Sequence, residues 1–237
     1  MNDRFRGHAD RDFSVWGECY AYTQACDVPA DAQNAWIGRQ KLNYRGIGGR
    51  QNLRHLISGN VDQSFLNEIG SLIGLERLEL EWPMVAKDLS PLLALKGLTY
   101  LSIDSPRHIS DFRALLELPA LRTLIITNPN KMADLSWLAG AHHLEVIGIE
   151  GGMLTPYNIP TLAPLAGLRS LRAFLGVSTR LADQSLEPLI NCPRLEYLGI
   201  ACVAPQSEFH RLKNAKPNLI CDWFRPEMWA ALRTARV

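Results

Sequence analysis

The side chains of this 237-residue chain whose types and clustering could do chemistry are four carboxylates, Glu79, Glu81, Asp104 and Glu150, with the large aromatics Trp82 and Tyr100 close to three of them in sequence. Their chemistry is recognition. Carboxylates accept charge-assisted hydrogen bonds from lysine and arginine, and large aromatics beside charge supply the buried contact area on which binding depends. The charge distribution agrees. Residues 61–167 hold 7 Lys+Arg and 12 Asp+Glu, whereas residues 1–60 hold 8 against 6 and residues 168–237 hold 10 against 6. The whole chain has 25 Lys+Arg against 24 Asp+Glu, a formal charge of +1, so a strongly basic nucleic-acid binder is excluded as the default reading.

Groupings that would do covalent or metal chemistry are missing from the pattern. No Ser-His-Asp order is legible. His142 and His143 are adjacent at the end of a turn, where neighbouring side chains diverge. His108 follows Pro106 on a turn, and Cys202 reads as a packed free thiol. Arg45-Gly-Ile-Gly-Gly-Arg50 lacks the Lys-Ser/Thr of a phosphate loop and is expected to be a turn. The expectation is a non-enzymatic protein with no cofactor and no metal.

The elements that hold the carboxylates in place follow from an internal repeat. Segments of the form LxxLxL begin at Leu53, Leu75, Leu98, Leu121, Leu144, Leu168 and Leu195, at intervals of 22, 23, 23, 23, 24 and 27 residues. Each has a second half with its own pattern: Asp88-Leu-Ser-Pro-Leu92, Asp111-Phe-Arg-Ala-Leu115, Asp134-Leu-Ser-Trp-Leu138, Thr161-Leu-Ala-Pro-Leu165 and Ser185-Leu-Glu-Pro-Leu189. The leading Asp, Thr or Ser offers an oxygen to an orphan N–H of a first helical turn. Pro91, Pro164 and Pro188 fall within that turn, where a missing N–H costs little. Each unit therefore reads as a short strand followed by one or two turns of α- or 3-10 helix. A full βαβ crossover needs about 30 residues or more, which these intervals do not provide.

The repeat resembles the leucine-rich repeat family over residues 53–203, most closely the short bacterial internalin type and the related phosphatase-regulator type. That resemblance implies an α/β fold: a right-handed curved solenoid with a parallel sheet on its concave face and short α/3-10 turns on its convex face. The family often carries Asn at the ninth position. Here that position holds Val61, Pro83, Pro106, Pro129, Gly152, Gly176 and Val203, so the turn's backbone groups need other partners.

In LxxLxL the leucines point into the coil, and alternation puts the residues between them on the open face of the sheet. The third column is then His55, Arg77, Tyr100, Thr123, Val146, Ser170 and Tyr197; the fifth includes Glu79, Ser102 and Arg172; the seventh includes Glu81, Asp104, Glu150 and Phe174. Glu81 and Asp104 are expected to be lateral neighbours. The expected partner-binding set is Glu79, Glu81, Trp82, Tyr100, Ser102, Asp104, Glu150, Arg172, Phe174 and Tyr197.

Solenoid ends must be capped. Residues 1–52, with Phe5, Phe13, Trp16, Tyr20, Tyr22, Trp36 and Tyr44, are expected to form an aromatic-rich cap, and residues 204–237 a second cap with a short helix. The N-terminus lacks the apolar core of a secretory signal, and no stretch of about 18 apolar residues could span a membrane. The cysteines Cys19, Cys26, Cys192, Cys202 and Cys221 are odd in number and scattered, which points to reduced thiols in the cytoplasm. The functional expectation is a protein-protein interaction module that receives a basic surface on its sheet face, in the manner of a bacterial immunity or inhibitor protein. Alternatives are an effector or enzyme-activating protein, and a structural adaptor that binds through the convex face.

Overall fold

The computed structural model describes residues 19–234. Among them is one nine-stranded sheet in which every neighbouring pair is parallel. Its strands are β1 (Asn34–Gly38), β2 (His55–Gly59), β3 (Arg77–Glu81), β4 (Tyr100–Asp104), β5 (Thr123–Thr127), β6 (Val146–Glu150), β8 (Ala173–Gly176), β10 (Tyr197–Ile200) and β11 (Ile220–Cys221), in chain order. Two further strands, β7 (Tyr157–Ile159) and β9 (Thr179–Leu181), pair with each other outside that sheet. The order and the short returns make this a leucine-rich repeat solenoid.

The repeat leucines build the core. Leu75, Leu78, Leu98, Leu101, Leu121, Leu124, Leu144 and Ile147 are all fully buried. Removing one such side chain to alanine costs about 2–5 kcal/mol. The return segments are 3-10 turns at Ser90–Ala94, Arg113–Glu117, Ser136–Gly140 and Ala163–Leu165, and α-helix at α1 (Gln63–Gly70) and α2 (Glu187–Ile190). The polar residue ahead of each return does what its position requires. Asp88, Asp111 and Asp134 accept from the backbone N–H two residues on, at 2.9, 3.0 and 2.8 Å, and Thr161 does so at 3.1 Å. The first return is longer because Phe65, Leu66 and Ile69 recur at helical spacing and Asp62 caps them through Phe65 N–H.

The turn that leaves each strand answers the missing asparagine ladder. It is made at the eighth position, where Asn60, Ser105, Asn128 and Ser178 adopt left-handed backbone with φ between 51° and 56°. Neighbouring turns then satisfy one another. Asn128 Nδ2 donates to Ser105 Oγ at 2.9 Å, Asn60 Nδ2 to the Arg39 carbonyl at 3.1 Å, and Ser178 Oγ to the Gly152 carbonyl at 2.9 Å.

One coil is framed differently from the sequence expectation. Phe174 pairs with Ile147 on one side and Leu198 on the other, so it occupies the fourth position and its repeat begins at Leu171. The intervals around it become 27 and 24. The extra residues lie in the loop after β6, where Met153 and Leu154 are almost fully exposed. Phe174 is consequently buried in the core and does not stand on the open face. Arg172 moves to the second position, where it pairs with Glu145 and Glu196 beside the sheet.

The ends are closed by aromatics. Beyond β10, α3 (Gln206–Ala215) buries Phe209 and Leu212. Phe209, Trp223 and Trp229, the last from α4 (Pro226–Thr234), pack with ring centroids 5.2–6.1 Å apart. At the other end β1 adds a strand from within the segment read as a cap, and Tyr44 stacks on Phe65 at 4.6 Å. Gly46, at φ 85°, turns the chain into a 3-10 turn at Ile47–Gly49. Phe5, Phe13 and Trp16 lie outside the described residues.

Candidate functional site

Parallel register aligns the open-face residues into two columns. One runs His55, Arg77, Tyr100, Thr123, Val146, Ala173, Tyr197. The other runs Trp36, Ile57, Glu79, Ser102, Ile125, Gly148, Leu175, Gly199. Strand spacing of about 4.8 Å brings successive members into contact.

The first part of the face, on β2 and β3, is a polar knot. His55 Nε2 and Arg77 Nε both lie 3.0 Å from Glu79 Oε1, and all three residues are buried. Burial pushes the Glu79 carboxyl up, but the hydrogen bond from His55 and the charge of Arg77 outweigh it, and the net shift is downward. The Arg77 guanidinium also sits 3.5 Å from the centroid of the Tyr100 ring, a cation–π contact. Cys19 Sγ joins from the chain ahead of β1, 3.2 Å from His55 Nδ1. Glu79 and Tyr100 are therefore interior partners of Arg77 more than open contact groups. Ser102, half-buried, follows Glu79 in its column.

The second part is apolar. Tyr100, Ile125, Val146, Ala173, Leu175 and Tyr197 form a buried cluster of their own, separate from the main core. Gly148 makes this packing feasible, because a Cβ there would come within 2.6 Å of Ile125 Cδ1. Tyr197 thus stands where the sequence placed it, as a member of an apolar patch.

The remaining carboxylates each accept from a different partner. Pairing between β3 and β4 runs to Leu80 and Ile103, the residues just before Glu81 and Asp104. Glu81 Oε2 accepts from Trp36 Nε1 at 2.9 Å, and Asp104 Oδ1 accepts from Ser105 Oγ at 2.9 Å. Both partners are neutral. Glu150, further along, accepts from Thr127 Oγ1 at 3.3 Å.

The rim past the strand ends joins Trp82, expected from the sequence, to residues that the partner-binding set did not include. Trp82 is 60% exposed. It lines an open pocket of about 410 Å³ with Ser105, Arg107, His108, Asn128, Asn130 and Lys131. The Arg107 guanidinium lies 5.7 Å from the Trp82 ring centroid. Met153 and Leu154 project from the same rim. The available signal for them was the four-residue excess in that coil and an apolar pair between Gly-Gly and Thr-Pro. Among the described residues no group of His, Cys, Asp and Glu is arranged to hold a metal ion.

No family model and no curated protein matches the sequence. Among solved structures the chain is similar to internalin C2 from Listeria monocytogenes, at 23% identity and a TM-score of 0.49, over 74% of this chain and 73% of that one. It is similar to the internalin inlF from the same organism at 16% and 0.46, over 80% and 66%. It is also similar to a leucine-rich repeat protein from Leptospira interrogans at 18% and 0.47, over 86% and 64%. The chain spans just under two thirds of the length of the last two.

Proposed function

We propose that this protein is a non-enzymatic interaction module that receives a basic protein surface at the edge of its sheet face, around Glu81, Trp82 and Asp104. The observation that carries the reading is that Glu81 and Asp104 have neutral hydrogen-bond partners, so their charge is uncompensated by them, beside a largely exposed tryptophan. Charge of this kind speeds encounter with a cationic surface, and the indole supplies contact area. Glu150, Ser102 and Tyr197 extend the surface along the later strands. Arg172 and Phe174 drop out of it, because one is engaged beside the sheet and the other is in the core.

Within that reading, the narrower role is an immunity or inhibitor protein of a bacterial cytoplasm that blocks a toxin or enzyme with a basic site. Among the described residues no helix is long and apolar enough to cross a membrane. The test is capture of partners from the source lysate at low and high salt, by the wild type and by Glu81→Arg/Asp104→Arg. A protein held by the wild type, weakened by salt and lost with the double variant supports the reading. Equal retention by both proteins sinks it and moves attention to the convex face.

A further inference from the structure

The turns that leave β3, β4 and β5 build the open pocket of about 410 Å³ beside Trp82. Trp82, Ser105 and Asn128 are the eighth residues of three successive repeats, and a proline follows each. Pro106 and Pro129 are buried. Arg107 N–H donates to the Met84 carbonyl at 3.0 Å, and Met132 N–H to the Pro129 carbonyl at 3.1 Å. The lining side chains therefore stem from a fixed backbone, which lowers the ordering cost of binding. The Ser105 hydroxyl is spent within the protein: it donates to Asp104 and accepts from Asn128, each at 2.9 Å. Arg107, His108, Asn130 and Lys131 are exposed.

Among the described residues no carboxylate lines this pocket or forms an ion pair with Arg107 or Lys131. Asp111 and Asp134, which follow in the chain, are engaged with Arg113 at 2.6 Å and with Ser136 N–H at 2.8 Å. His108 also borders a second pocket with Asp88 and Asp111, so the positive charge of the first rests on Arg107 and Lys131. Two cations from neighbouring coils with no carboxylate between them repel and add nothing to the fold. Their chemistry is the capture of an anion. Two charges match a phosphate monoester, at about −1.5 to −2, better than a single carboxylate. A guanidinium offers phosphate a fork of donors, and an ammonium a compact charge. Trp82, 60% exposed, has its ring centroid 5.7 Å from the Arg107 guanidinium, so an aromatic face stands next to the cations. Such a face stacks on any nucleobase. We propose that the pocket binds a free mononucleotide: Arg107 and Lys131 hold the phosphate, and Trp82 stacks on the base. The volume is within the range of small-ligand sites, about 300–1,000 Å³. This site goes beyond the partner reading, with which it shares Trp82 but not Glu81 or Asp104.

The probe is adenosine monophosphate, titrated into the full chain and followed by amide NMR shifts, beside adenosine, inorganic phosphate and phosphoserine. Adenosine monophosphate is expected to saturate one site with a dissociation constant under about 1 mM, the upper end of working affinities. It should bind at least about tenfold tighter than adenosine or inorganic phosphate, because each of those makes only part of the contacts. Arg107→Ala and Lys131→Ala should each weaken it about tenfold or more. Trp82→Ala should weaken it about tenfold and leave inorganic phosphate unchanged, and Trp82→Phe should restore most of the loss. These side chains are exposed, so the variants should keep the wild-type urea midpoint. The Glu81→Arg/Asp104→Arg protein should still bind the nucleotide, which separates this site from the partner surface. Phosphoserine held as tightly as adenosine monophosphate would move the site to a phosphorylated side chain and overturn the nucleotide assignment. Binding that does not saturate, or that is indifferent to the Arg107 and Lys131 replacements, overturns the site itself.

Discussion

Trp36 Nε1 reaches across β2 to donate to Glu81 Oε2 at 2.9 Å, linking β1 to β3. Gly59, in the strand between, places no side chain in the path. The bond ties a strand without a repeat leucine to the acidic edge of the face.

Trp36→Phe keeps an aromatic ring and removes the donor. A hydrogen bond to a charged, partly exposed group contributes about 1–2 kcal/mol. The variant should lose that much stability in a urea titration with an unchanged slope. A loss smaller than about 0.3 kcal/mol would show that water replaces the indole without cost.

Phe174→Ala and Arg172→Ala distinguish the two possible frames of the sixth repeat. Phe174 is fully buried, so its truncation should cost about 3–5 kcal/mol. Arg172, whose side chain is 24% exposed, pairs with Glu196 at 2.8 Å and Glu145 at 3.6 Å. Partly solvated pairs of this kind contribute about 1 kcal/mol or less. Thermal unfolding of the two variants gives the order. A phenylalanine variant as stable as the wild type would put Phe174 on the open face after all.

Glu79 gives the fold an acid sensitivity of known sign. Its folded pKa is depressed below the ordinary 4.5. In the window beneath that value the unfolded chain binds a proton that the folded chain resists. The stability contributed by Glu79 is thus complete above 4.5 and lost as pH falls through the folded value. Glu79→Gln should flatten the fall in unfolding free energy between about pH 5 and pH 3. Parallel curves for the two proteins would mean that other carboxylates carry the effect.

The repeat was legible because leucine recurs with both strand alternation and a period near 23 residues. Where leucines fall three apart in succession, at Leu168 and Leu171, the motif fits two frames. Only the partners of Phe174 choose between them. Strand β1 was hidden for the opposite reason: Ala35 and Ile37 fill the core positions without a leucine to mark them. The acidic residues were read from alternation alone, which gives their side of the sheet but not their neighbours. Alternation could not show that Arg77 neutralises Glu79, or that Glu81 turns to Trp36. The grouping of Cys19 with His55 and Glu79 joins residues 36 and 24 positions apart, beyond any local motif.

Strand order equal to chain order has a mechanical corollary. In the main sheet the backbone of each strand pairs only with the strands before and after it. Tension applied at the two termini therefore loads the end coils first and peels the molecule like a ribbon from a spool. A coil of 23 residues releases about 80 Å of chain, at roughly 3.5 Å per residue. Force–extension traces should show a ladder of such steps, with one longer step, about 95 Å, where the 27-residue coil between β6 and β8 gives way.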